Sequence, residues 1–414
     1  MIIQNSQPSL CEVPSLSRRR LLGLSGAFVA SAFIPKFARA ADGRDPRFIV
    51  IVLRGAMDGL SAVAPVGDPD YAALHGDLAL TASGDGAGIM LDSFFSLNPA
   101  MTNFARLYQK GQAAVIHAAA TGYRDRSHFD GQDVLESGYA GPGRTDSGWL
   151  NRAIAMLPQG QRVGKPNSLA VGSTAPLIIR GQAETLGWAP ANLPDPGADL
   201  NKRLLDLYAH TNPKLGSLLS EGLSAQTIAN GQSSMAKNPA DRAGQMAAQA
   251  RGAARIMSAD DGPRIAAMAF DGWDTHENEG GAKGRLFNLL TELDSALAEL
   301  ETGLGAATWA QTSVVVMTEF GRTAAINGTD GTDHGTGTLS FLAGGAIKGG
   351  RVISDWPGLK ASQLYEGRDL KPTTDVRGVL KGLLADQLGF SEQVLSNSIF
   401  PDSASVKPMK GLIA

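Results

Sequence analysis

Residues Phe48, Ile49, Val50, Ile51, Val52 and Leu53 form an unbroken apolar run, mostly β-branched, that stops at Arg54 and Gly55. A run so short, with no polar residue to give it a wet side, predicts a strand buried on both faces, the habit of parallel strands covered by helices. Similar runs recur at 113–117, 265–270 and 314–317, each followed by polar, glycine-containing sequence. Between them lie helical patterns, the clearest at 285–300, where Leu286, Leu289, Leu290, Leu293, Leu297 and Leu300 make one stripe with Glu292, Asp294 and Glu299 off it. This alternation predicts an α/β domain with helices on both faces of a mostly parallel sheet, and in such sheets chemistry sits beyond the carboxyl ends of the strands. The stretch 181–262, rich in Ala, Gln, Ser and Met, reads as a helical insertion or cap.

A chain of 414 residues with 43% hydrophobic and 19% charged side chains has ordinary globular composition. Its formal net charge of -3 argues against a polyanion such as nucleic acid as partner. Cys11 is the only cysteine, so an internal disulfide and a cysteine zinc cluster are excluded, and any metal must use oxygen and imidazole ligands.

Residues Arg18, Arg19 and Arg20 stand directly before a small-residue-rich apolar run, 21–33, which is followed by Ala38, Arg39 and Ala40. This pattern reads as a twin-arginine export signal cut before Ala41, because the run is short of the roughly 20 residues a spanning helix needs. Losing residues 1–40 removes five positive charges and one negative, taking the formal charge from -3 to -7. The expectation is an acidic protein, periplasmic or secreted, with the export machinery as a partner, no membrane span in the mature chain and no thiol.

Each strand end delivers polar residues. After the first comes Asp58 between Gly55 and Gly59, placed to hold a cation, although Asp beside Gly is also ordinary turn chemistry. After the second come Arg124, Asp125, Arg126, Ser127 and His128, before a helix running toward Glu136. Ser127 or Asp125 caps that helix, or Ser127 sits at its positive end as a nucleophile, with Arg124 or Arg126 holding an anionic substrate. After the third, Asp274 and His276 share one side of an extended chain and so converge on one ion. After the fourth, Glu319 is placed as a further ligand and Arg322 as a clamp for a tetrahedral oxyanion, or the two form a plain ion pair. Asp333 and His334 follow in glycine-rich sequence, a second histidine beside an aspartate; His75, His117 and His210 lack such neighbours and read as structural.

This ordered set, behind a twin-arginine signal, closely resembles the secreted family catalogued as domain of unknown function 1501, over nearly the whole of residues 41–414. That family looks like a distant branch of the alkaline phosphatase and sulfatase superfamily. The resemblance implies an alkaline-phosphatase-like three-layer fold. It also implies metal ligands at Asp58, Asp274, His276, Glu319 and His334, with Ser127 as nucleophile. Where the superfamily usually has an adjacent Asp-His pair this chain has Glu319 and Phe320, so one imidazole is missing; either a single divalent ion binds, or an oxygen ligand such as Asp333 substitutes, or catalysis is lost.

The expected function is an exported, metal-dependent hydrolase of phosphate or sulfate esters. Its divalent ion would be zinc, calcium, magnesium or manganese, its substrate a small anionic ester, and Arg322 with Arg126 would neutralise the non-bridging oxygens. Its rivals are a non-catalytic glycan-binding protein of the same fold, a structural envelope protein, and a metal-free serine hydrolase using Ser127 and His128. The last is disfavoured because adjacent helical residues do not face each other.

Overall fold

The computed structural model describes residues 45–84, 86–157, 167–190, 198–230 and 244–414; the export signal read at 1–40, with Cys11, lies outside them. The main sheet contains β1 (Arg47–Arg54), β2 (Ala113–Ala120), β3 (Ser168–Val171), β4 (Leu186–Trp188), β5 (Ile265–Asp271), β6 (Thr312–Thr318), β7 (Thr338–Ala343), β8 (Arg351–Ile353) and β9 (Thr374–Asp375). Across the sheet the order is β8-β2-β7-β6-β1-β5-β3-β4, with β9 paired to β2. β1 runs parallel to β5 and β6, and only β7 is antiparallel to its neighbours β2 and β6.

The helices are α1 (Gly59–Ala62), α2 (Thr102–Gln109), α3 (His128–Ser137), α4 (Trp149–Met156), α5 (Ala198–Thr211), α6 (Pro213–Asn230), α7 (Gln245–Ser258), α8 (Arg285–Trp309) and α9 (Val376–Leu388). Alternate side chains of β1 enter two separate cores. Ile49, Ile51 and Leu53 pack with Phe104 of α2, Ile256 of α7 and Leu290 of α8. Phe48, Val50 and Val52 pack with Leu135 of α3, Trp149 of α4 and Val379 of α9. Both faces of the strand are therefore dry, which is why its sequence never alternates; each such side chain contributes about 1.5–3 kcal/mol by leaving water. The result is the three-layer α/β architecture that the sequence predicts.

Two details differ from that prediction. The stretch 181–262 supplies α5, α6 and α7, but it also adds the edge strand β4, so it is not helical throughout. Asp294, off the leucine stripe of α8, is nevertheless buried, because its carboxylate accepts from the backbone N–H groups of Asn103 and Phe104 and so caps α2 from outside. No helix among the described residues is long and apolar enough to cross a membrane.

The topology fixes where chemistry gathers. β1, β2, β5 and β6 all end at one edge of the sheet, and β7, running the other way, begins there. The loops after four strands and the loop before a fifth thus meet at one mouth.

Candidate metal centre

At that mouth Nε2 of His128, Nε2 of His334 and Oδ1 of Asp274 lie close enough together to hold a metal ion. The two nitrogens are 2.9 Å apart, and each is 3.4 Å from the Asp274 oxygen. Nε2 of His276 stands beside them, 2.9 Å from Nε2 of His334 and 3.1 Å from the same oxygen. Tetrahedral zinc with ligands at about 2.0–2.1 Å has ligand–ligand edges of about 3.3 Å. Both triangles, which share the His334–Asp274 edge, are of that size.

The other ring nitrogens explain the orientation. Nδ1 of His334 lies 3.0 Å from the carbonyl oxygen of Arg126, which can only accept, so Nδ1 carries the proton. Nδ1 of His128 donates to Oε1 of Glu319 at 2.8 Å, and Nδ1 of His276 to Oδ1 of Asp333 at 3.1 Å. In the neutral ring this leaves the Nε2 lone pair of each imidazole facing Asp274. Converging lone pairs and a carboxylate repel one another unless a cation lies among them, and acceptors on Nδ1 are the usual outer partners of metal-bound histidines.

The charges of the site agree. Burial pushes Glu319 up, but hydrogen bonds from His128, Gln132 and the Gly55 N–H outweigh it, and its pKa falls below the ordinary carboxylate value. Asp274 is also lowered, burial being outweighed by the bond and charge of Arg322. Asp333 is lowered chiefly by its bond from Asn327 and then by His276. His128 is raised by its bond to Glu319, whereas His334 is lowered by burial and by the repulsion of His128 and Arg322.

Backbone geometry aims these groups. Arg126 holds a left-handed φ of 60°, uncommon outside glycine, and this turns its carbonyl to His334. Gly55, at φ 119°, passes so close to the backbone N of Asp274 that a Cβ would collide with it.

The remaining sequence-predicted residues have other surroundings. Arg322 is 1% exposed, and its Nε, Nη1 and Nη2 donate to the carbonyls of Ala56, Thr332, Gly55 and Trp273 and to Asp274. It anchors Asp274 rather than clamping an external oxyanion, and the Glu319–Arg322 ion pair is not formed. The guanidinium of Arg126 pairs with Asp369 and Glu366. Asp58 is turned away into the protein: it caps α1 through Leu60 and Ser61 and faces Nε2 of His75 at 3.3 Å. Glu319 and Asp333 touch histidine Nδ1 atoms rather than the point where the Nε2 atoms meet. Ser127 occupies the N-cap position of α3 without a side-chain capping bond, and its N–H donates to the Tyr123 hydroxyl. His128 turns Nδ1 to Glu319 and Nε2 toward His334, and neither ring nitrogen bonds the Ser127 hydroxyl.

Residues 45–399 match the family described as Protein of unknown function (DUF1501). The chain belongs to the DUF1501 family. No curated protein sequence matches it. Among solved structures, this DUF1501 chain is similar to Ps i-CgsB in complex with k-i-k-neocarrahexaose, at 13% identity and TM-score 0.42, covering 88% of this chain and 77% of that one. It is similar to a mutant of TAB5 alkaline phosphatase with magnesium bound, at 13% identity and TM-score 0.34, covering 73% and 91%. It is also similar to the PsFucS1 sulfatase from Pseudoalteromonas sp., at 14% identity and TM-score 0.34, covering 77% and 66%. Likeness at this level concerns the arrangement of strands and helices and carries no chemistry.

His128 is the DUF1501 residue that sequence reasoning missed. It sits at the first position of α3, in a different part of the chain from Phe320. The Phe320 ring stacks on it, with centroids 5.0 Å apart. A signal existed: a histidine beside a serine at a predicted strand-to-helix junction.

Proposed function

We propose that this protein is an exported, metal-dependent hydrolase of phosphate or sulfate esters, carried by the twin-arginine route to the periplasm or beyond. The observation that carries the reading is the set of imidazoles whose Nδ1 protons are all given to acceptors while their Nε2 atoms meet at Asp274. The ligand atoms of His128, Asp274 and His334 lie within 4.8 Å of one another and fit one ion, with His276 beside His334 and Asp274. A donor set of two imidazole nitrogens and one carboxylate oxygen suits zinc better than calcium or magnesium, which favour all-oxygen shells. An imidazole nitrogen has one lone pair and binds one ion, so His334 belongs to a single centre.

When bound, the ion supplies Lewis acidity, offsetting charge on the reacting and leaving oxygens. The chain does the rest. Glu319, Asp333 and the Arg126 carbonyl hold the three rings, and Arg322 holds Asp274. Ser127, one residue before His128 at the N-terminus of the ten-residue α3, is the nucleophile. Its oxygen bonds to phosphorus or sulfur, the ester oxygen leaves with a proton as the alcohol, and water then releases the acid and restores the hydroxyl.

The test is elemental analysis of purified mature protein joined to a panel of aryl phosphate and sulfate esters. Bound metal, ester turnover, and loss of turnover in Ser127→Ala with metal retained are expected. Turnover surviving Ser127→Ala removes Ser127 as nucleophile. A protein that takes up no zinc, manganese, magnesium or calcium ends the proposal.

A further inference from the structure

With Arg322 buried and Arg126 paired twice, the mouth needs another cation if an anion is to be held. Arg368 meets the requirement. It lies on the turn closed by the Tyr365 and Asp369 backbones and reaches back so that Nη2 donates to the carbonyl of His334. Its side chain is 43% exposed, and its remaining ion pair, Nε to Asp369, is long at 3.6 Å. Nη1 has no acceptor among the described residues. Its bond to the His334 carbonyl places the guanidinium beside a candidate ligand.

The geometry points to Arg368 as the residue that binds the anionic tetrahedral group of a ligand, a phosphate or sulfate, beside the ion proposed at His128, Asp274 and His334. A guanidinium with a free N–H edge makes directional bonds to two oxygens of such a group, and its hold on the His334 carbonyl fixes that edge in place. Arg126 holds Oδ2 of Asp369, while Oδ1 of that carboxylate faces Nε of Arg368 at 3.6 Å. This inference rests on the metal centre proposed above but not on ester turnover.

The experiment is calorimetric titration of inorganic phosphate, and separately sulfate, into zinc-loaded full-length mature protein. Wild type, Arg368→Ala, Arg368→Gln and Arg368→Lys are compared, with zinc content measured for each. Gln keeps a donor for the His334 carbonyl but loses the charge, so a structural role and a ligand-binding role separate. At least a tenfold loss of anion affinity is expected in both Ala and Gln variants, with zinc content unchanged, partial recovery in Lys, and a wild-type affinity that falls as salt rises. Wild-type affinity retained in Arg368→Gln, or no binding of either anion to zinc-loaded wild type, overturns the inference. Anion binding dependent on Arg368 in a protein that hydrolyses no ester upholds it while removing the hydrolase reading. Arg251→Ala, a change at an exposed pair with Glu299, is the control and should leave anion affinity unaltered.

Discussion

Nδ1 of His334 donates to the main-chain oxygen of Arg126, and that oxygen points inward because Arg126 adopts a φ of 60°. The contribution of Arg126 to the ring is therefore made by its backbone, and its side chain serves a different set of partners. Replacing it by glycine, which accepts the same φ without strain, should leave metal affinity within a few-fold of wild type, as read by competition with a chromogenic chelator.

The ligands themselves should be unforgiving. His334→Ala or Asp274→Ala is expected to lower zinc affinity by 100-fold or more. For wild type, zinc at 100 times its Kd should add about 2.7 kcal/mol to stability, seen as a higher Tm that a chelator reverses. A Tm indifferent to zinc would contradict a site preformed in the native state.

Glu319 lies behind the centre, and its role is electrostatic and orienting. Glu319→Gln keeps the size but removes the charge that fixes the His128 tautomer. The expected cost is about 10- to 100-fold in metal affinity with little change in fold, measured by chelator competition and circular dichroism.

Gly55→Ala should harm the site through the backbone. The added methyl meets the N of Asp274 and φ is unfavourable, so strain of about 1–3 kcal/mol and weaker zinc binding are expected together. Gly411, at φ 72° with open space around it, gives the comparison: Gly411→Ala should cost some stability and leave zinc affinity untouched. Equal zinc affinity in both variants would contradict the close approach at Gly55.

Asp58 and His75 make a pH prediction. Burial raises the Asp58 pKa, but the nearby His75 charge outweighs it and holds the carboxyl below its ordinary value. Burial lowers His75, but the Asp58 charge outweighs it and the imidazole is raised. The stability from Asp58 is present above its unfolded pKa of about 3.9 and fades as pH falls through the lowered folded value. That from His75 is full below its unfolded pKa of about 6.5 and fades as pH rises through the raised folded value. The pair thus contributes most between about pH 4 and 6.5. Asp58→Asn should cost about 3–5 kcal/mol there, less on either side, by denaturant titration across pH.

Sequence made the scaffold readable because β1, β2, β5 and β6 are largely buried on both faces and so carry short, mostly apolar runs, broken in β2 by the buried His117. Asp274, His276 and His334 were readable because histidine beside aspartate at strand ends is uncommon in a chain with six histidines. Their partners were not. Whether Glu319 binds an ion or an imidazole depends on an ångström of reach, and the partner of Asp58, His75, lies at the end of a separate short helix, Tyr71–His75. Arg322 resembled a clamp by composition; only its burial among carbonyls assigns it to holding Asp274.

The lone reversed strand has a kinetic consequence. His334 enters the centre just before β7, while His128, Asp274 and His276 come from segments that must first be set beside it by the rest of the sheet. A ribosome-bound fragment ending before residue 334 would lack a full ligand set, so ion capture at the proposed centre would come only with the nearly finished molecule.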